Sequence, residues 1–227
     1  MISDWLESVV KAEERGADAM SIQHSPRKPK GSGAERREEI LAASLRLFGQ
    51  YGLYGVSTRM IAQAVGISQP TLYAYFSVKA DIAAELHRRA FEQLHTRLQR
   101  MPQEVSTQAE MAQVLRTYID FGLENPDAYR VAFMMEVAPG REGADPQADL
   151  STSGHATFGL LQTCINSLHR RGLAADDDPE RLAQTLWAGM HGLVSLVIAR
   201  PKFPWRAREA LLSGHVALLA RGAMRTV

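Results

Sequence analysis

At 227 residues the chain can form one large or two small domains with their own cores, and 45% hydrophobic with 22% charged residues is ordinary globular composition. A single cysteine, Cys164, excludes an intrachain disulfide and a cysteine-built metal centre. No apolar run approaches the roughly 20 residues of a membrane-spanning helix, the longest candidate lying around Leu193 to Ala199. The net charge of +1 conceals a division, with twelve Lys/Arg against six Asp/Glu over residues 24–100 and twelve against fourteen over residues 101–227. A basic segment beside a more acidic one suits a phosphate-facing module joined to a partner domain, although an excess of six is also within ordinary fluctuation.

Asp4 and Glu7 stand where an export signal would be basic, so a cytoplasmic protein is expected. Ile2, Trp5, Leu6, Val9 and Val10 recur at helical spacing and predict a short amphipathic helix over residues 2–15. Residues 25–33, rich in Pro, Gly and Lys, read as a linker or a basic arm carrying Arg27, Lys28 and Lys30. Residues 1–33 are either a genuine extension or the product of an early start, with Met20 the internal alternative. A helix over 35–50 follows, built on Ile40, Leu41, Leu45, Leu47 and Phe48, and ends at Tyr51-Gly52.

Residues 57–76 have the anatomy of a helix-turn-helix. Ser57 is placed to cap a helix through Ala64, and Ile61 and Val65 share one face of it. Gly66 can take the positive φ of a tight turn, and Ile67 fills the angle between the helices. Ser68 caps the second helix, with Pro70 in its first turn, where a missing N–H costs nothing. Leu72 and Phe76 are expected inside, leaving Gln69, Thr71, Tyr73 and Tyr75 for other faces. That division, one side packed and an N-terminal end bearing polar groups, is what a recognition helix requires. An ordinary helical hairpin would use the same small residues, but the tyrosines of Tyr73-x-Tyr75 cannot both face one core.

The stretch from Ile40 to Phe48, then Tyr51-Gly52, Ser57, Ile61-Ala62, Gly66-Ile67-Ser68, Thr71-Leu72-Tyr73, Phe76 and Lys79, resembles the tetracycline-repressor (TetR) family of bacterial regulators in order and spacing. Two departures are Tyr75, where many members carry His, and Ala80-Asp81, where Glu is usual. The resemblance implies DNA contacts by Ser57, Thr58, Arg59, Ser68, Gln69, Pro70, Thr71, Tyr73, Tyr75 and Lys79, with Gln69, Thr71 and Tyr73 towards bases and Ser57, Tyr75 and Lys79 on phosphates. More weakly, residues 124–134 and Trp187 to Leu193 resemble the subgroup named after its Trp-His-Gly motif.

A long helix over 78–100 is expected next, then helices near 106–123, 126–137, 150–171, 179–199 and 204–222, and no sheet. Tyr118, Phe121, Phe133, Met134, Phe158, Trp187 and His191 are candidates to line an apolar pocket. Residues at such spacing are as often plain core, and His191 reads equally as a packed histidine beside Trp187. Cys164 is expected to be buried packing. Asp176 to Asp178 precede a helix start, where acids are favoured by the helix dipole, and are expected to be solvated rather than to hold a metal. Apolar stripes on the last two helices predict a four-helix dimer interface, as the resemblance also implies.

The expected protein is therefore all-α. Residues 1–33 form an extension with the basic arm, 34–80 a three-helix DNA-binding domain, and 81–227 a ligand-binding and dimerisation domain. The expected function is a ligand-responsive regulator, a repressor released by a small hydrophobic effector, bound as a homodimer to a palindromic duplex operator. No cofactor, metal or membrane is expected. No GxSxG, paired metal-spaced histidines or glycine-rich phosphate loop supports an enzyme. An architectural DNA-binding protein that senses nothing is the remaining alternative.

Overall fold

The computed structural model describes residues 33–134 and 152–225; the expected helix over 2–15, the basic arm, the end of the helix predicted over 126–137 and the loop near 139–146 lie outside the described residues. The described residues form helices and no strand. They are α1 (Gly33–Gly55), α2 (Thr58–Val65), α3 (Gln69–Tyr73), α4 (Lys79–Gln99), α5 (Gln108–Glu124), α6 (Pro126–Phe133), α7 (Thr152–Arg170), α8 (Pro179–Ala199) and α9 (Arg208–Gly222). Helix α1 outlasts its predicted end. Gly52 takes φ 71° and ψ 168°, which kinks the helix, and a short further segment runs on to Gly55.

Two apolar cores account for the architecture. The first gathers Ile40, Leu41 and Phe48 of α1, Ile61 of α2, Leu72 of α3, then Phe76, with Ile82 and Leu86 of α4. The second gathers Leu94 and Leu98 of α4 with the inner faces of α5, α7, α8 and α9. Helix α4 therefore belongs to both, and no sharp boundary falls at its start. Helix α6 is shared as well: Val131 is buried in the first core, whereas Tyr129 is buried in the second.

Close approach within the second core depends on Gly122. A Cβ there would stand 2.5 Å from Val194 Cγ1 and 2.8 Å from the Tyr129 ring, so only glycine lets α5, α6 and α8 meet.

Charge pairs fasten α1 to α4. Glu85 accepts from Arg88 Nη2 at 2.9 Å, Arg89 Nε at 2.7 Å and Arg37 Nη1 at 3.3 Å, and Arg89 Nη2 continues to Glu38 at 2.8 Å. Bonds from Arg88, then Arg89 and Arg37, hold the Glu85 carboxyl down to about 2.

One sequence expectation needs correction. Helix α8 is, by length and composition, apolar enough to cross a membrane. Its Leu182, Leu186, Val194 and Ile198 are instead buried against other helices, so its apolar content is core-forming. The aspartates at its start act as expected of a helix terminus: Asp178 accepts from the N–H groups of Glu180 and Arg181 at 3.1 and 3.0 Å. Cys164 is buried, and burial pushes its thiol up to about 11.

Candidate DNA interface and ligand pocket

The helix-turn-helix is assembled by its caps. Ser57 Oγ accepts from Met60 N at 3.2 Å, and Ser68 Oγ accepts from Thr71 N at 3.2 Å. Gly66 takes φ 71° and ψ 34°, and its N–H reaches back to the carbonyls of α2. Helix α3 is a single short stretch of five residues, so Tyr75 and Phe76 lie beyond it. Phe76 is nevertheless buried, as expected, and Tyr75 is half-buried against the first core.

Ser57, Arg59, Ser68, Gln69, Pro70, Thr71 and Tyr73 are exposed, and Thr58 is half-buried. Thr58 Oγ1 holds this surface together, accepting from Gln69 Nε2 at 3.1 Å and lying 3.3 Å from the Tyr73 hydroxyl. Thr71 Oγ1 stands 2.8 Å from Ser68 Oγ. The polar groups are pre-set by one another before any partner arrives.

Lys79 is used more heavily by the protein than its sequence position suggests. Its Nζ donates to the carbonyls of Leu53 at 2.7 Å and Val56 at 2.6 Å, closing the turn between α1 and α2. One of its three donors remains. Arg36 and Arg37, which open α1, are also engaged inside the protein. Arg36 is buried and pairs with Glu39 at 2.8 Å, and Arg37 lies over the Phe76 ring at 4.8 Å while bonding Glu85.

The second domain encloses a cavity of about 670 Å³, a size suited to a small organic ligand. Of the expected lining residues, Tyr118, Phe133, Phe158 and Trp187 do line it. Three do not. Phe121 is fully buried under the Arg97 guanidinium, 5.4 Å away. Met134 is 40% exposed at the end of α6, away from the wall. His191 sits one layer behind, where it stacks on Tyr129 with ring centroids 5.6 Å apart.

Sequence reasoning missed Phe91, Leu94 and Leu98 of α4, and Gln162, Gln184 and Met190 of α7 and α8, all on the wall. The signal was present for α4, whose apolar residues recur every three or four positions.

Behind the wall runs a chain of polar groups. Trp187 Nε1 donates to the Tyr118 hydroxyl at 3.2 Å, and that hydroxyl is 3.0 Å from the Tyr129 hydroxyl. The Tyr129 hydroxyl is 2.7 Å from His191 Nδ1, and His191 Nε2 is 3.2 Å from Ser195 Oγ. Burial pushes Tyr118 up to about 12 and raises Tyr129 further, while it lowers His191. Burial thus favours the uncharged form of both tyrosines and of the histidine.

Comparison with known proteins agrees with this anatomy. Residues 40–86 match the family described as bacterial regulatory proteins of the tetR family, and residues 111–219 match the tetracyclin repressor-like C-terminal domain. The second match stands at the level of the family, not of the Trp-His-Gly subgroup. The chain is 30% identical over 112 residues to the nucleoid occlusion factor SlmA of Actinobacillus pleuropneumoniae, covering 48% of this chain and 55% of that one. It therefore spans about half the length of the SlmA relatives it matches. It is 24% identical over 153 residues to the HTH-type transcriptional regulator RutR of Escherichia coli, covering 67% and 71% of the two chains. Among solved structures, AibR in complex with isovaleryl coenzyme A and operator DNA has TM-score 0.66 at 15% identity, covering 83% of this chain and 99% of that one, a likeness of fold. The two-core helical architecture and both family matches place the chain in the tetracycline-repressor (TetR) family of helix-turn-helix, DNA-binding transcriptional regulators.

Proposed function

We propose that the protein is a repressor that binds a near-palindromic operator as a homodimer and is released when a small apolar effector fills the cavity of the second domain. The observation that carries this reading is the division of α6. Phe133 faces the cavity and Tyr129 the polar chain behind it, yet Val131, between them, is buried in the core of the DNA-binding domain. An effector that displaces Phe133 must therefore shift a residue of the first core. Helix α4 offers a second route, with Phe91 on the cavity and Leu86 in the first core. The AibR structure, which holds both a ligand and operator DNA in the same fold, supports such a pairing of sites.

In this reading Gln69, Thr71 and Tyr73 face base edges, and Ser57, Thr58, Arg59, Ser68, Tyr75 and the remaining Lys79 donor approach phosphates. Arg27, Lys28 and Lys30 extend the contact to an adjacent groove. The dimer is formed by α8 and α9, where Leu196 and Leu218 stand 55% and 60% exposed. Such side chains are better covered than left to water. The protein works in the cytoplasm, where its DNA is.

The test has two stages. Duplexes bound by the full chain are selected from a random library, and compounds that raise its melting temperature are then added to the complex. Selection of an inverted repeat followed by release supports the proposal. A bound duplex that no stabilising compound releases would favour an architectural role.

A further inference from the structure

The chain behind the cavity can run in either of two directions. Trp187 Nε1 is a donor only, so Tyr118 accepts from it, and in one arrangement Tyr118 donates to Tyr129. Tyr129 then donates to His191 Nδ1, and the imidazole proton sits on Nε2, facing Ser195 Oγ. In this arrangement the protons of Trp187, Tyr118, Tyr129 and His191 are all engaged within the chain. Tyr118 lines the cavity, and in this arrangement its hydroxyl can offer an occupant only a lone pair.

The same five groups satisfy one another equally well in the opposite sense. Ser195 then donates to His191 Nε2, His191 Nδ1–H to Tyr129, and Tyr129 to Tyr118, which accepts from both Tyr129 and Trp187. The Tyr118 O–H is then free to donate to a further acceptor. No proton is gained or lost overall, because the imidazole only exchanges one tautomer for the other. Each direction makes the same four internal contacts, so the energy of one further hydrogen bond decides between them.

The wall limits what can supply that bond. Among the described residues it carries no Lys or Arg; besides Tyr118 its ionisable side chains are His155 and Glu180, and Glu180 accepts from Gln184 at 3.3 Å. A buried carboxylate or phosphate would find no described Lys or Arg there, and desolvating such a charge without a permanent cation beside it is costly. Phe91, Phe133, Phe158, Leu94 and Leu98 suit an apolar body.

We propose that the cavity takes an uncharged ligand with an apolar body and a carbonyl-type acceptor, which Tyr118 binds by reversing the hydrogen-bond chain and moving the His191 proton from Nε2 to Nδ1. This deepens the effector-site reading above and rests on it. The reversal is felt at Tyr129 on α6, the helix shared with the DNA-binding core.

Octan-2-one, octanoate and octylammonium serve as matched probes on the full chain. Binding is measured calorimetrically, and the ring nitrogens of 15N-histidine-labelled protein are read by NMR, with His191 assigned by its loss in His191→Asn. Octan-2-one is expected to bind about tenfold more tightly than either ion and to move the His191 proton to Nδ1. In Tyr118→Phe the ketone should bind about 5–10-fold more weakly, the worth of one hydrogen bond, and leave the His191 tautomer unchanged. Ketone binding without a tautomer change in the wild type overturns the reversal while leaving the pocket reading intact. Tighter binding of octanoate or octylammonium overturns the uncharged class. If none of the three binds, the cavity is not an effector site of this kind and the proposal falls with it.

Discussion

The ammonium of Lys79 is held between two carbonyls of the turn that joins α1 to α2, so its removal has two consequences. Lys79→Ala is expected to lower the stability of the first domain by about 1–3 kcal/mol, since two buried-side acceptors lose a charged donor. It should also weaken binding to all duplexes alike and reduce the salt slope by about one. Thermal melts and fluorescence anisotropy at several salt concentrations separate the two effects. Thr71→Ala and Gln69→Ala should instead relax preference at particular bases by about 1–3 kcal/mol, read from binding to single-base operator variants. The caps at Ser57 and Ser68 and the glycine turn were legible in the sequence because each is a local device. The engagement of Arg37 and Lys79 was not, because they find their partners more than twenty residues away.

At the scale of the element, α6 matters beyond its length. The sequence predicted a helix from 126 without any sign that it ties the two domains together. Val131 provides that tie, since its neighbours in the first core come from α1 to α4. Nothing in an eight-residue amphipathic pattern says which of two cores each face enters. Val131→Ala should cost about 1–3 kcal/mol of stability and reduce the effect of a bound ligand on operator affinity more than it alters ligand affinity itself. Operator titrations with and without a saturating ligand measure this. A coupling unchanged by the substitution would leave α4 as the carrier. His191 shows the same limit from the other side: the sequence left it between packing and pocket, and its partner Tyr129 stands on a different helix.

At the scale of the whole molecule, two consequences can be measured. The Glu85 cluster ties α1 to α4, and its carboxyl is held near 2 against an ordinary 4.5. Its contribution is therefore complete above about pH 4.5 and is lost as the pH falls towards 2. The first domain of Glu85→Gln should melt lower than wild type at pH 7, and the difference should shrink on acidification through that window. A difference that stays constant would place the stabilisation elsewhere. The exposed leucines of α8 and α9 give the second test. Leu218→Glu, placed where 60% of the side chain is open, should leave the monomer folded but shift sedimentation towards the monomer. Operator affinity should fall with it, because two recognition helices must enter successive major grooves about 34–36 Å apart, or a multiple of it.

The central claim is that the cavity and the DNA-binding surface are energetically coupled. The most direct measurement is the affinity of one cavity-binding compound for the full chain, with and without saturating selected operator, together with the converse titration of operator with and without the compound. The account predicts that each ligand weakens the other by the same factor, about 5–150-fold, and that Phe133→Ala, on the cavity wall, reduces that factor. Equal affinities with and without the partner would contradict it.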